Sequence, residues 1–169
     1  GAAVSYALAP YPGLPHPANG LKCSVDRTGS VLHISWHLEG KAELAAPAAP
    51  ERRHELWEVT CFEFFLRSPE RPGYWEFNLS PAGHWNVYRF EGYRSGMVEE
   101  PLVRTLPFTV TRHSGGCDVI LSVDLAFVPG PWELAVATVL KQGDVTFWAL
   151  AHPAAEPDFH DPAAFVLTL

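Results

Sequence analysis

Residues 56–97 read LWEVTCFEFFLRSPERPGYWEFNLSPAGHWNVYRFEGYRSGM, and the phase of their side chains decides the fold. From Thr60 to Leu66, the residues Phe62, Phe64 and Leu66 share one side of an extended chain, and Cys61, Glu63 and Phe65 share the other. From Tyr74 to Ser80, Trp75, Phe77 and Leu79 alternate with Tyr74, Glu76, Asn78 and Ser80. Pairing must keep the apolar sets together, because a slip of one residue sends every side chain to the wrong face. That rule puts Glu63 on the same surface as Glu76 and Asn78. Pro81-Ala82-Gly83 reads as a three-residue hairpin loop, with Pro suited to a type I turn and Gly to the left-handed position. Closing the chain there pairs Ser80 with His84, Asn78 with Asn86 and Glu76 with Tyr88. Trp85 and Val87 then join Leu79 and Phe77 in the core. The expectation is a core face and a solvent face, the latter carrying Glu63, Glu76, Asn78, Asn86 and Tyr88, with Arg89, Tyr93 and Arg94 at or beyond the strand end.

The same period recurs on either side of this block. Val4, Tyr6 and Leu8 alternate, as do Leu21, Cys23 and Val25, and Asp26-Arg27-Thr28-Gly29 offers a turn. Leu32, Ile34, Trp36 and Leu38 face one way, and Val31, His33, Ser35 and His37 the other. Residues 40–55, rich in Pro and Ala, break the alternation and read as a crossing between sheets with room for one helical turn. Phe108 to His113 and Asp118 to Leu125 flank a turn at residues 113–116, with Val119, Leu121, Val123 and Leu125 as a buried stripe. Trp132 to Leu140 is nearly continuous apolar, as a central strand should be. Val145 to Leu150 follows, then the irregular segment AHPAAEPDFHDP, then a last strand from Ala164 to Leu169. Sixteen prolines and thirteen glycines punctuate these short runs, and no long segment carries a 3.6-residue period. The reading is an all-β, two-sheet antiparallel β-sandwich of about ten strands, as a single domain over residues 1–169.

Composition narrows the function. The chain has 12 basic and 19 acidic residues, a net charge of −7, and no basic run. Nucleic acid and anionic membrane are poor partners for such a surface. No apolar run approaches the roughly 18–20 residues of a membrane span. The chain begins with Gly instead of Met, which leaves room for a removed leader. Cys23, Cys61 and Cys117 are widely spaced in apolar strand patterns, so they read as buried thiols in a reducing compartment, and a cytoplasmic location is expected.

A face of carboxylate, amide, phenol and guanidinium bordered by tryptophan suits a polyol, because acceptors and forked donors bind hydroxyls while rings cover the apolar faces of a pyranose. A merely solvated sheet face explains the same residues. Glu63 and Glu76 form the pattern of a glycosidase pair, but nothing else in the sequence points to catalysis. His33 and His37 share a strand face about 13 Å apart, too far for one metal. His152, Asp158, His160 and Asp161 cluster in one segment at loose spacing, which fits loop-fixing hydrogen bonds better than a metal site. No metal is expected.

LWEVTCFEFFL, YWEFNLSPAGHWNVYRFEGYR and FWALAHPAAEPDFH together resemble the bacterial DOMON-like proteins related to family 9 carbohydrate-binding modules. The likeness runs from Leu56 to Phe165. It implies a non-catalytic β-sandwich that binds a mono- or oligosaccharide between two tryptophans, with carboxylate, amide and arginine groups below. Carried over by position, Trp57 and Trp148 become the walls, Glu63 the acidic residue and Arg89 the arginine; Glu76, Asn78, Asn86 and Tyr88 of the polar face read above complete the candidate ligand-binding set. The hairpin register turns Arg89 toward the core side. The DOMON superfamily also includes haem domains that ligate iron through Met and His, and Met97 is the one methionine. A haem or redox domain, and a protein-interaction sandwich with no small ligand, are the alternatives.

Overall fold

The computed structural model describes residues 3–169. In chain order its strands are β1 (Val4–Ala7), β2 (Ala9–Pro10), β3 (Gly20–Thr28), β4 (Val31–Glu39), β5 (Cys61–Arg67), β6 (Tyr74–Leu79), β7 (Trp85–Phe90), β8 (Val98–Glu99), β9 (Phe108–His113), β10 (Gly116–Asp124), β11 (Glu133–Gln142), β12 (Asp144–Ala149) and β13 (Leu167–Thr168). Leu56–Glu58 and Pro162–Ala164 are single turns of 3-10 helix. The strands form two antiparallel sheets. One runs β1-β3-β4-β10-β9; the other runs β2-β12-β11-β5-β6-β7-β8, with β13 also on β11. This is the expected sandwich. The thirteen strands among the described residues exceed the expected number because the short pairings of Ala9–Pro10 and Val98–Glu99, each only two residues long, carry no readable alternation; the expected last strand is itself shortened to Leu167–Thr168.

Alternation builds the core between the sheets. Leu32, Ile34, Trp36 and Leu38 of β4 meet Phe62, Phe64, Phe77, Leu79 and Val87 of β5, β6 and β7 in one buried cluster. Phe64 and Phe77 are cross-strand partners whose rings stack at 4.3 Å. The chain enters by bridging the two layers. β1 pairs with β3 in one sheet, Leu8 is buried between them, and β2 pairs with β12 in the other. Pro10 sits on that outermost strand, where a missing N–H costs no ladder bond. Residues 40–55 cross from β4 to β5 as expected, with no helical turn among them; the turn falls at Leu56–Glu58.

The β6–β7 hairpin closes in the register read from the sequence. Ser80 N–H donates to His84 O at 2.8 Å, Asn78 pairs with Asn86, and Glu76 pairs with Tyr88. Gly83 holds φ +102°, the left-handed region that L side chains rarely adopt. Glu63 lies opposite Asn78, and Phe65 opposite Glu76.

The expected solvent face is corrected. Glu63, Glu76, Asn78, Asn86 and Tyr88 are 2, 4, 0, 0 and 2% exposed. The larger sheet is covered on this side by a second apolar layer. Phe65, Tyr74, Tyr88, Phe90, Ala135, Ala164 and Phe165 form a cluster of their own, with Trp57 and Phe159 packed against it. The covering comes from the 3-10 turn at Leu56–Glu58 and from residues 157–165, a segment whose irregular sequence gave no sign of its seat.

Cys23, Cys61 and Cys117 are buried, free thiols. Burial pushes the Cys23 thiol up to about 12 and the Cys117 thiol up to about 11.

Because Phe77 fills the interior against Phe64, Phe77→Ala is expected to cost about 3–5 kcal/mol of unfolding free energy. His33→Ala, on the outer face of β4, is expected to change it by no more than about 0.5 kcal/mol. Urea unfolding of both variants checks the contrast.

Candidate functional site

Over the covered face lies a pocket of about 350 Å³. Its floor is the non-core side of β5, β6 and β11, where Glu63, Phe65, Glu76 and Val139 point outward. Beside Glu63 in the sheet stands Ala137, and beyond it Ala149 of β12. These small residues leave depth above the sheet where larger ones would fill it. The walls are aromatic: Trp57, Phe90, Phe147 and Phe159. Arg94, Met97, Pro157 and His160 complete the rim and sides.

Trp57 is half-buried and packs edge-on to Tyr88, ring centroids 5.9 Å apart. Tyr88 is held in turn by its hydroxyl, which accepts from Asn86 Nδ2 and meets His54 Nδ1, both at 3.0 Å. Phe147 and Phe159 meet edge to face at 6.0 Å. The apolar part of the pocket is therefore built from rings that brace one another.

The polar floor is under electrostatic stress. Burial first, and repulsion from Glu76 second, hold Glu63 well above the usual carboxylate range. Glu76 is pushed up to about 7 by burial, with Asn78 and the Arg94 guanidinium pulling it part-way back. His160 goes the other way. Burial, and then Arg94, hold it down to about 4. His160 Nε2 lies 3.4 Å from Glu76 Oε1, so between about pH 4 and 7 this contact joins two neutral groups. The Tyr74 hydroxyl accepts from Arg94 N–H at 3.1 Å and meets His160 Nδ1 at 2.7 Å. With its one proton given to Nδ1, the imidazole carries its own on Nε2, facing Glu76.

Three polar atoms on this face have no partner. They are Glu63 Oε2 and both Asn78 Oδ1 and Nδ2. Asn78 is near enough to Glu76 to affect its ionisation, yet neither amide atom reaches it in hydrogen-bond geometry. A buried polar group left unpaired costs about 1–3 kcal/mol. Such groups are rare enough in folded proteins to call for an explanation.

The rim is fixed by a clamp between two loops. Asp158 accepts from Arg94 Nη2 at 2.8 Å, from the Tyr93 hydroxyl, and from His160 N–H at 3.0 Å. Arg94 itself holds φ +51°, a conformation that bulky residues rarely adopt. His152 bonds Ala9 O, and Asp161 accepts from Ala163 N–H at the last 3-10 turn. The His152–Asp161 segment is therefore fixed by hydrogen bonds, as expected, and delivers Phe159 and His160 to the pocket.

Of the residues read from the sequence, Trp57, Glu63 and Glu76 line the pocket, Asn78 adjoins Glu63, and Tyr88 supports Trp57 from below. Asn86 does not reach it. Its amide is consumed by Arg52 Nε, Arg53 O, Tyr88 and Glu99. Arg89 lies over Trp75 at 4.2 Å and donates to Pro72 O and Phe90 O, on the opposite side of the strand. Trp148 is overturned as a wall. It is 2% exposed and belongs to the core between the sheets. Its neighbour Phe147, opposite Val139, takes the pocket side. Residues 145–150 are apolar on both faces, so alternation alone could not choose between Phe147 and Trp148. Phe65, Phe90, Arg94, Phe159 and His160 were not assigned to the site. Phe65 and Phe90 carried a signal, since they share the face of Glu63 and Tyr88.

Haem does not fit this donor set. His160 is the histidine that lines the pocket with Met97, and its two ring nitrogens are directed to Tyr74 and Glu76.

No protein-family model matches the sequence, and no curated protein matches it. Solved structures do. A proposed carbohydrate-binding protein from Bacteroides uniformis superposes with a TM-score of 0.75 at 14% identity, over 96% of this chain and 84% of that one. A family 9 carbohydrate-binding module from Caldicellulosiruptor kristjanssonii, in complex with cellotriose, gives 0.55 at 11% identity over 86% and 72%. The same organism's family 9 module with glucose gives 0.54 at 10% identity over 83% and 71%. The fold is that of the family 9 carbohydrate-binding modules. In this family 9-like fold, two layers of β-structure present the pocket on the outer side of the larger sheet.

The floor makes stability depend on pH in a defined direction. The native state holds protons on Glu63 and Glu76 that the unfolded chain loses above about pH 4.5, so their contribution falls as pH rises, for Glu76 through about 7. His160 opposes this only between about pH 4 and 6.5, where the unfolded chain binds the extra proton. Glu76→Gln is therefore expected to raise the melting temperature at pH 8, by roughly 5 °C, and to leave it nearly unchanged at pH 4.5. Thermal unfolding of both proteins at the two pH values checks the sign.

Proposed function

We propose that this pocket binds a mono- or oligosaccharide, without cleaving it, between the aromatic walls and the Glu63–Glu76 floor. The observation that carries the reading is the unpartnered Glu63 Oε2 at the base of an aromatic-walled cavity, with the unpartnered amide of Asn78 beside it on the neighbouring strand. A sugar offers the complement. Its hydroxyls donate and accept in one direction, matching a carboxyl and an amide, and its axial C–H face lies against a ring such as Trp57. The volume of about 350 Å³ falls in the range of small-ligand sites. The family 9 modules that share the fold were solved in complex with glucose and cellotriose, and as carbohydrate-binding modules they support binding without hydrolysis.

Arg94 offers a sugar hydroxyl the guanidinium donors that Asp158, bonded to Nη2, does not occupy. Glu76 changes role near neutral pH. Protonated, it donates to a hydroxyl; ionised, it accepts only.

Titration calorimetry with a panel of mono- and disaccharides, including amino sugars, is expected to give saturable binding for at least one class. Trp57→Ala should weaken that binding about tenfold or more, and Glu63→Gln by a similar factor, if each removes about 1.4 kcal/mol. No heat across the whole panel, or equal affinity in Trp57→Ala, would sink the proposal. Release of chromophore from nitrophenyl glycosides would sink its non-catalytic part.

A further inference from the structure

The opposite outer face of the sandwich carries a second group of ligating side chains. His37 on β4, Asp118 on β10 and His113 on β9 come from three adjacent strands. Asp118 is the direct cross-strand partner of His37, and His113 lies diagonal to it, opposite Gly116. Gly116 stands between Glu39 and His113 in the same row of the sheet. A Cβ there would meet Leu38 O at 1.8 Å, so this position is confined to glycine.

The three side chains converge. His37 Nδ1 is 2.5 Å from Asp118 Oδ1, and His113 Nε2 is 3.4 Å from Asp118 Oδ2. One donor atom from each lies within 4.8 Å of the other two. The imidazoles are side by side, 23° from parallel with centroids 5.9 Å apart. Tetrahedral zinc at about 2.0–2.2 Å from its ligands needs donors roughly 3.3 Å apart, which small side-chain rotations supply here.

Glu39 supplies what a bare cluster lacks. It accepts from His37 Nε2 at 3.2 Å, fixing a proton there and leaving Nδ1 as the ligating atom. A carboxylate behind a metal-binding histidine, setting its tautomer and raising its basicity, is the usual outer partner of such sites.

We propose that His37, His113 and Asp118 form a site for one divalent ion of the zinc class, with Glu39 orienting His37. Two imidazoles and one carboxylate favour zinc and its transition-metal neighbours over magnesium or calcium, which prefer all-oxygen shells. Three protein ligands leave a position for water, and the cluster is partly open to solvent.

The test is calorimetry with zinc chloride on the whole chain carrying no polyhistidine tag. One ion per chain is expected. His113→Ala and Asp118→Asn should abolish saturable uptake, Glu39→Gln should weaken it about tenfold, and His33→Ala should leave it unchanged. Unaltered melting temperatures would show that the variants remain folded, as expected for side chains on an outer sheet face. No uptake at a 1:1 ratio, equal affinity in His113→Ala, or comparable binding of calcium would each overturn the proposal.

Discussion

The hydrogen bond from Ser80 N–H to His84 O, 2.8 Å long, fixes the register of β6 and β7, and both faces of the larger sheet follow from it. Shifted by one residue, Trp75, Phe77 and Val87 would leave the core and Glu76, Asn78 and Asn86 would enter it. Gly83 makes the closure cheap, since it adopts φ +102° without the steric penalty another residue would meet. Arg52 secures the same hairpin from outside. Its guanidinium donates to Asn86, Val87 O, Glu100 O and Val103 O and lies over Trp85, so one side chain ties the crossing segment to β7 and to the residues after β8.

With the register set, the pocket's chemistry comes from burying a polar strand face under a second apolar layer. Buried carboxyls hold their protons, a buried histidine stays neutral, and an amide is left without partners. In a solvated face none of this would occur, because water would satisfy the same groups. The covering layer thus converts an ordinary alternating strand pattern into a set of directed, under-satisfied hydrogen-bonding groups. It also leaves Trp57 braced on Tyr88 while part of its surface remains open.

The sequence was most legible where chemistry was local. Strand alternation, the Pro81-Ala82-Gly83 turn and the pairing of Asn78 with Asn86 depend on neighbours within a few residues, and all three appear in the structure. The floor residues Glu63 and Glu76 were legible for the same reason. The walls were not. Phe159 and His160 arrive from a segment far along the chain whose Pro-rich sequence has no period, and its seat is set by Asp158 meeting Tyr93 and Arg94. Trp148 misled because the resemblance asked for a second tryptophan and β12 is apolar on both sides, so nothing local corrected it, while the phase of the strand put Phe147 on the pocket side. Asn86 misled because its partner Arg52 lies in a connection that alternation does not describe.

The three cysteines have a further consequence. Thiol chemistry runs through the thiolate, and the folded sandwich suppresses that form at Cys23 and Cys117, pushed up to about 12 and about 11, and at Cys61 through complete burial. The fold thus disfavours the reactive thiolate at all three positions. Their reactivity is instead a property of the open chain, so the sandwich carries three internal reporters of its own unfolding.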